Sequence, residues 1–272
     1  MKMIFATDVD GTILTDQGVP HKATNPAFNY ARSKNNNIVI ATGRALSRTK
    51  PLVEMMPDVN YLICNNGALI KDVQNKKVMD LHFITPKHYL SMMEFAKNNN
   101  FSFTMHTDKQ TYTWPNSRYD NNINIDDKLN KSIIDFINSN PNINTLENGE
   151  SITQLSLLGT IDSCAKNFPT IQKMFQDVQS VFLTNGIFID VNPLGISKWT
   201  GLKFLANALN IDSKNIVTFG DSGNDLEMLQ EAGENGFPMK NSTADLIAIL
   251  PTKIGDNNSD AIAKKIIELV NK

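Results

Sequence analysis

The chain has 272 residues, with 26 basic against 28 acidic side chains and a formal net charge of −2. That near balance argues against nucleic acid as a partner, which calls for a basic excess or a basic stripe. Hydrophobic residues at 41% and charged residues at 20% are ordinary for a globular protein, and no apolar run approaches the length of a membrane span.

The length admits one large domain or two smaller ones. The N-terminal run Met1-Lys2-Met3-Ile4-Phe5-Ala6-Thr7 stops at Asp8, too early for a signal peptide. Cys64 and Cys164 make neither a disulfide framework nor a metal cluster, so each reads as a small buried apolar residue in a reducing cytoplasm.

Ile4 to Thr7 reads as a strand that ends in a charged loop at Asp8. Ala23 to Ser33 reads as a helix, with Thr24 as a cap before Pro26. Ile38 to Ala41 is a buried-type strand followed by Thr42-Gly43-Arg44, Leu46 to Met56 a helix, and Tyr61 to Cys64 a strand followed by Asn65-Asn66-Gly67. Strands alternating with helices argue for a parallel α/β sheet.

From about Thr85 to Gly186 the chain turns rich in Asn, Thr and Ser. Strand-like pieces (Phe101 to His106, Thr111 to Trp114, Thr153 to Leu158) are separated by helical ones (Pro86 to Lys97, Lys131 to Ile137, Ser163 to Phe175). This stretch reads as an α+β insertion, with Ile187 to Val191 as a candidate last strand. The α/β pattern then resumes: a helix over Ser197 to Leu209, a strand over Asn215 to Phe219, and helices over Asp225 to Glu231, Ala244 to Ile249 and Ser259 to Val270. The runs Asn35 to Asn37 and Asn98 to Asn100 fall at expected helix ends, where Asn tolerates left-handed backbone.

Polar clusters placed directly after buried strands carry the chemistry, because ligands in an open parallel sheet bind beyond the strands' carboxyl ends. In Asp8-Val9-Asp10-Gly11-Thr12, two carboxylates at i and i+2 with a permissive Gly suit a hard cation. A carboxylate can also attack phosphorus, and a second one nearby can protonate the leaving oxygen and later activate water. Taken alone, the same residues read equally well as solvated acids at a strand end. Thr42-Gly43-Arg44 offers a hydroxyl and free N–H groups as an anion site, or simply an N-cap. Lys198 in Gly195-Ile196-Ser197-Lys198 can face a phosphate, or be an ordinary surface lysine. Gly220-Asp221-Ser222-Gly223-Asn224-Asp225 supplies two carboxylates and an amide: Asp221 suits a metal and Asn224 a phosphate, while a capped helix start needs the same residue types.

The four clusters in this order resemble the haloacid dehalogenase superfamily, specifically the Cof-type sugar-phosphate phosphatases. Ala41-Thr42-Gly43-Arg44, Gly-Ile-Ser-Lys ending at Lys198, and Gly220 through Leu229 are each similar to that family's motifs, and Asn65-Asn66-Gly67-Ala68 resembles another of its loops. Two places depart from the pattern: Lys240 stands where a Gly is usual in Gly236-Phe237-Pro238-Met239-Lys240-Asn241-Ser242, and Asn258-Ser259-Asp260-Ala261 stands where Asp-Gly-Val is frequent.

The resemblance implies an α/β fold: a Rossmann-like parallel-sheet core of residues 1–84 and 188–272 with an inserted α+β cap of residues 85–187. It implies a Mg²⁺-dependent phosphatase in which Asp8 takes the phosphoryl group and Asp10 is general acid and base. Mg²⁺ would be held by the Asp8 carboxylate, the Asp10 carbonyl and Asp221, with Asp225 in support. Thr42, Gly43, Lys198 and Asn224 would hold the phosphate of a small phosphorylated metabolite. Asp10 favours ester hydrolysis, since a carbon–halogen bond has no oxygen to protonate. A phosphosugar mutase or phosphotransferase, and a nucleotide or pyridoxal-phosphate phosphatase, are the alternatives on this scaffold. The cap would act as a lid, with His106, Trp114 and Arg118 as candidates for contact with the leaving group. A monomer is expected.

Overall fold

The computed structural model describes residues 2–115, 127–140, 143–250 and 252–272. The chain forms two compact units: Met1–Arg44, Arg48–Asp80 and Ser197–Lys272 make the first, and Ala45–Ser47 with Leu81–Ile196 make the second.

The first unit is built on β1 (Ile4–Thr7), β2 (Asn37–Ala41), β3 (Tyr61–Cys64), β4 (Leu69–Asp72) and β5 (Lys77–Leu81), joined by β11 (Ile216–Gly220) and β12 (Gly236–Pro238). The strand order is β12-β11-β1-β2-β3-β4-β5. The five strands from β12 to β3 are parallel, and β4 runs antiparallel to β3. β1, β2 and β11 are buried along their whole length, which is why they are continuous apolar runs in the sequence rather than alternating ones. The order reverses at β1, with Phe5 paired to Val217 on one side and to Ile38 on the other. A switch point of this kind leaves a crevice beyond the strand ends.

The helices of this unit are α1 (Thr24–Ser33), α2 (Lys50–Met55), α6 (Lys198–Ala208), α7 (Leu226–Glu231), α8 (Ala244–Ile249) and α9 (Ala261–Val270). Trp199, Leu202, Leu205 and Ala206 of α6 share a buried cluster with Ile4, Ala6, Val39 and Ala41. The helix expected over Leu46 to Met56 is broken: Leu46–Arg48 is a 3-10 turn, and α2 starts only at Lys50. Pro51 is the cause, because its ring and missing N–H are tolerated only in a first turn. The helix expected from Asp225 likewise opens with a 3-10 turn over Gly223–Asp225.

The second unit carries β6 (Ser102–Thr107), β7 (Thr111–Trp114), β8 (Ile152–Leu158), β9 (Gln179–Thr184) and β10 (Phe188–Pro193), with α3 (Lys87–Asn99), α4 (Asp127–Ser139) and α5 (Ile161–Phe175). Its sheet runs β7-β6-β8-β10-β9, and every neighbouring pair is antiparallel. β10 pairs with β8 on one side and β9 on the other, so this unit extends past 187, where the sequence suggested the insertion would end. Trp114 is 7% exposed and stacks on Phe103 at 5.7 Å, and His106 Nδ1 lies 3.0 Å from Thr111 Oγ1. Arg118 lies outside the described residues. Asn35 and Asn100 adopt left-handed backbone after α1 and α3. None of the described helices is long and apolar enough to cross a membrane.

Candidate active site

The first unit brings all eight candidate residues to the carboxyl ends of β1, β2 and β11 or to the start of α6. Asp8 follows β1, and its N–H donates to the Phe219 carbonyl of β11 at 3.0 Å. The chain then makes a wide turn over Val9–Ile13, closed by the Leu14 N–H on the Val9 carbonyl. Gly11 takes φ +77° in that turn, and a Cβ there would lie 2.5 Å from Asp221 Oδ2. The glycine is therefore needed both for its backbone and for the room that it leaves Asp221. Thr12 donates to Asp221 Oδ1 at 2.6 Å.

Lys198 begins α6, whose Ser197–Thr200 capping box fixes the helix start. Its side chain is fully buried, and Nζ lies 2.6 Å from both Asp8 Oδ1 and Asp225 Oδ1. Burial alone would lower the lysine's pKa, but Asp225 and Asp8 outweigh it and hold the ammonium charged. Burial, reinforced by Asp225 and Asp221, raises Asp8 well above the usual carboxylate range against the pull of Lys198. Burial and Asp225 push Asp221 up to about 7.

Asp8, Asp221 and Asp225 each offer an oxygen, and these atoms lie within 4.8 Å of one another. Three hard oxygen donors, two of them on one ammonium, fit a divalent cation such as Mg²⁺. The three acids are not equivalent. Asp225 spends Oδ1 on Lys198, and its Oδ2 accepts from the Asp221 and Ser222 N–H groups at 2.9 and 3.0 Å. Among the described residues, Asp8 and Asp221 each have one carboxylate oxygen with no hydrogen-bond donor. Asp10 stands outside this group: Arg44 grips its carboxylate with Nε on Oδ2 at 2.8 Å and Nη2 on Oδ1. The Asp10 side chain stays 43% exposed, so it can still meet a substrate.

The loop expected to bind an anion is built from two strand ends. The Thr42 N–H donates to Ile63, the Asn66 N–H to the Thr42 carbonyl, and the Asn65 N–H to the Arg44 carbonyl. The Thr42 hydroxyl accepts from the Arg44 N–H at 3.1 Å, which leaves its own proton to donate. Asn224 accepts from the Ser222 hydroxyl at 2.6 Å and donates to Asn66 Oδ1 at 2.9 Å. Gly43 keeps this corner open, since a Cβ there would lie 3.2 Å from Asn66 Oδ1. Three consecutive residues, Asn65, Asn66 and Gly67, have positive φ, a strained run of the kind that clusters at functional sites.

Sequence reasoning assigned no role to Thr12, Arg44 or Asn66. All three lie inside the motifs, but what each touches comes from distant chain: 209, 34 and 158 residues away respectively.

A carboxylate-lined site at the switch point of a parallel sheet, served by one buried ammonium, is the arrangement of an α/β enzyme. Residues 5–266 match the family described as haloacid dehalogenase-like hydrolase, and the chain belongs to that family. It is 26% identical over 264 residues to the 5-amino-6-(5-phospho-D-ribitylamino)uracil phosphatase YcsE of Bacillus subtilis strain 168, covering 97% of this chain and 94% of that one. It is 25% identical to the corresponding phosphatase YbjI of Escherichia coli K12, covering 95% and 93%. In fold it matches a haloacid dehalogenase-like hydrolase from B. subtilis with a TM-score of 0.79 at 20% identity, over 98% and 99% of the two chains.

Proposed function

We propose that this hydrolase is a phosphatase for small phosphorylated metabolites, sugar phosphates foremost, and that it works through an aspartyl phosphate on Asp8. The observation that carries this is the Asp8 carboxylate itself. It is buried, oriented through one oxygen by Lys198, and left with the other oxygen undonated. Family membership and relatives named as phosphatases support the same reaction.

Asp8 attacks phosphorus in line, while Asp10 gives a proton to the departing alcohol. Asp10 then takes a proton from the water that hydrolyses the acyl phosphate. Arg44 holds Asp10 by both oxygens and so fixes where that proton is exchanged. Thr42 and the free N–H of Asn224 donate to the phosphoryl oxygens, and Lys198 offsets their charge. Asp8 and Asp221, with the Asp10 carbonyl, would hold Mg²⁺, which supplies charge neutralisation to the transferring group. Asp225 supports this set by holding Lys198 and the backbone of Asp221.

The relatives' named substrate carries its phosphate on a ribityl chain, which supports adding sugar-alcohol phosphates to the candidates. The free, buried thiols of Cys64 and Cys164 support a reducing compartment such as the cytoplasm.

The test is phosphate release, with and without Mg²⁺, from sugar and sugar-alcohol phosphates, nucleotides and pyridoxal phosphate. Release by the parent and none by Asp8→Asn is expected. No release from any substrate, or equal release by both proteins, overturns the assignment. Transfer to a second sugar without free phosphate makes the protein a mutase instead.

A further inference from the structure

The two stretches that depart from the family pattern, around Lys240 and Asn258, meet in the first unit, against the chain that follows the catalytic acid. Asn241 donates to the Gly11 carbonyl at 2.7 Å and accepts from the Asn257 N–H at 3.1 Å. Asn257 is 8% exposed and donates to the Leu14 carbonyl and to Asp16 Oδ1, each at 3.0 Å. Asp16 and Asn258 bond reciprocally: the Asp16 N–H donates to Asn258 Oδ1 at 3.0 Å, and Asn258 Nδ2 donates to Asp16 Oδ2 at 2.9 Å. Three carboxamides thus tie residues 11, 14 and 16 to loops more than 200 residues away in sequence.

The hairpin that they hold is thin. Leu14 bridges to Pro20, and Thr15 to Gly18 form the turn. Ile13 and Leu14 anchor its base in the core, but beside it Asp10, Arg44, Asn241, Asn257 and Asn258 line a cavity of about 650 Å³, so on that side hydrogen bonds hold the hairpin. The grip on the Gly11 carbonyl acts on the Gly11–Thr12 peptide, one residue beyond Asp10. It also acts on the residue whose missing side chain makes room for Asp221.

We propose that Asn241, Asn257 and Asn258, with Asp16, are positioning residues that hold the turn after Asp10 in register, so that the Asp10 carboxyl meets the leaving-group oxygen. This rests on the phosphatase assignment above, in which Asp10 is the general acid. A misplaced general acid slows leaving-group departure for esters whose leaving group needs a proton, and spares it for those whose leaving group departs as a stable anion; hydrolysis of the acyl phosphate is common to both, so kcat/KM, which reports only as far as that departure, is the quantity compared.

The experiment compares glucose 6-phosphate, or whichever alkyl phosphate the parent hydrolyses fastest, with p-nitrophenyl phosphate. The proteins are the parent, Asp10→Asn, Asn241→Ala, Asp16→Asn and the double variant D16N/N258D. Asn241→Ala is expected to lose about ten-fold in kcat/KM on the alkyl ester, a fraction of the full general-acid contribution of about 100-fold or more, with less than about two-fold on the aryl ester. Asp16→Asn brings two amide donors face to face and should lose in the same pattern. The double variant restores both bonds between residues 16 and 258, giving up only the long 3.5 Å contact from Asn258 to Asn257 Oδ1, and should recover the parental ratio. Asn241 is exposed, so its truncation opens no core cavity but does strip the Gly11 carbonyl and the Asn257 N–H of a partner; the exchange of Asp16 and Asn258 is a second route if that variant folds poorly. Equal losses on both esters, or no recovery in the double variant, overturn the inference while the parent's activity keeps the phosphatase assignment. A parent inactive on every ester overturns both.

Discussion

Replacing Asp225 with Asn removes one charge and almost no volume, which makes it a sharp probe of how this centre is held. Asp225 is fully buried and uses both oxygens, one on Lys198 at 2.6 Å and one on two backbone N–H groups at 2.9 and 3.0 Å. An amide has a single oxygen. Whichever way it turns, its NH₂ faces either the Lys198 ammonium or the Asp221 and Ser222 N–H groups. Removing one partner of a buried ion pair costs about 3–5 kcal/mol, and the lower end applies here because the amide keeps one set of bonds. At about 2–4 °C per kcal/mol for a protein of roughly this size, Tm should fall by about 6–12 °C. Thermal unfolding followed by circular dichroism in metal-free buffer measures this, with Lys198→Met and the double variant completing a cycle. The two sites share a bond, so the cycle should show a coupling of about 1–3 kcal/mol. A Tm within about 2 °C of the parent, or simple additivity, refutes the view that Asp225 serves by holding Lys198 and the Asp221 loop.

Three further outcomes follow from the geometry. Gly11→Ala places a Cβ 2.5 Å from Asp221 Oδ2 at φ +77°; strain of about 1–2 kcal/mol and a displaced Asp221 should cut phosphate release by about 100-fold, and an active Gly11→Ala contradicts the close packing. Asn66→Gly keeps the left-handed backbone at φ 51° but leaves the buried Asn224 amide without its acceptor, so stability should fall by about 1–3 kcal/mol and inhibition by inorganic phosphate should weaken about 2- to 10-fold; unchanged inhibition counts against a role for Asn66 in the proposed anion loop. Asp221 has its folded pKa raised from 3.8 to about 7, so its stabilising contribution is full below pH 3.8 and is lost as pH rises through 7. Metal-free Tm should therefore decline between those values, and Mg²⁺ should raise Tm more at pH 8 than at pH 5, because binding there displaces no proton; equal Mg²⁺ shifts at both pH values refute the metal assignment.

The strands that position the site were legible because they are buried on both faces. Ile4–Thr7, Ile38–Ala41 and Ile216–Phe219 are uninterrupted apolar or β-branched runs, each followed closely by polar residues. β5 (Lys77–Leu81) was not legible: it is an edge strand, with Val78 44% exposed, and shows no apolar run. β9 (Gln179–Thr184) is only partly buried along five of its six residues, so its pattern is equally weak. The break before α2 could have been read from Pro51. The Arg44–Asp10 fork and the amide ties from Asn241, Asn257 and Asn258 could not, because each joins loops that only the closed sheet brings together.

The four aspartates show the limit of motif spacing most clearly. In the sequence, Asp8, Asp10, Asp221 and Asp225 are alike: each is an acid in a loop after a buried strand. In the fold, hydrogen bonding separates them. Asp225 has both oxygens spoken for, so it can tune the centre but has little left to give a ligand. Asp10 is paired outward with an arginine and stays partly exposed, which suits the proton exchange proposed for it. Asp8 and Asp221 each keep one undonated oxygen in a dry setting that resists their ionisation. Oxygens so placed are held at a cost, which a divalent cation would relieve. The division of labour therefore resides in which lone pairs are already taken, a property set by Lys198, Thr12, Arg44 and two backbone N–H groups rather than by the aspartates themselves.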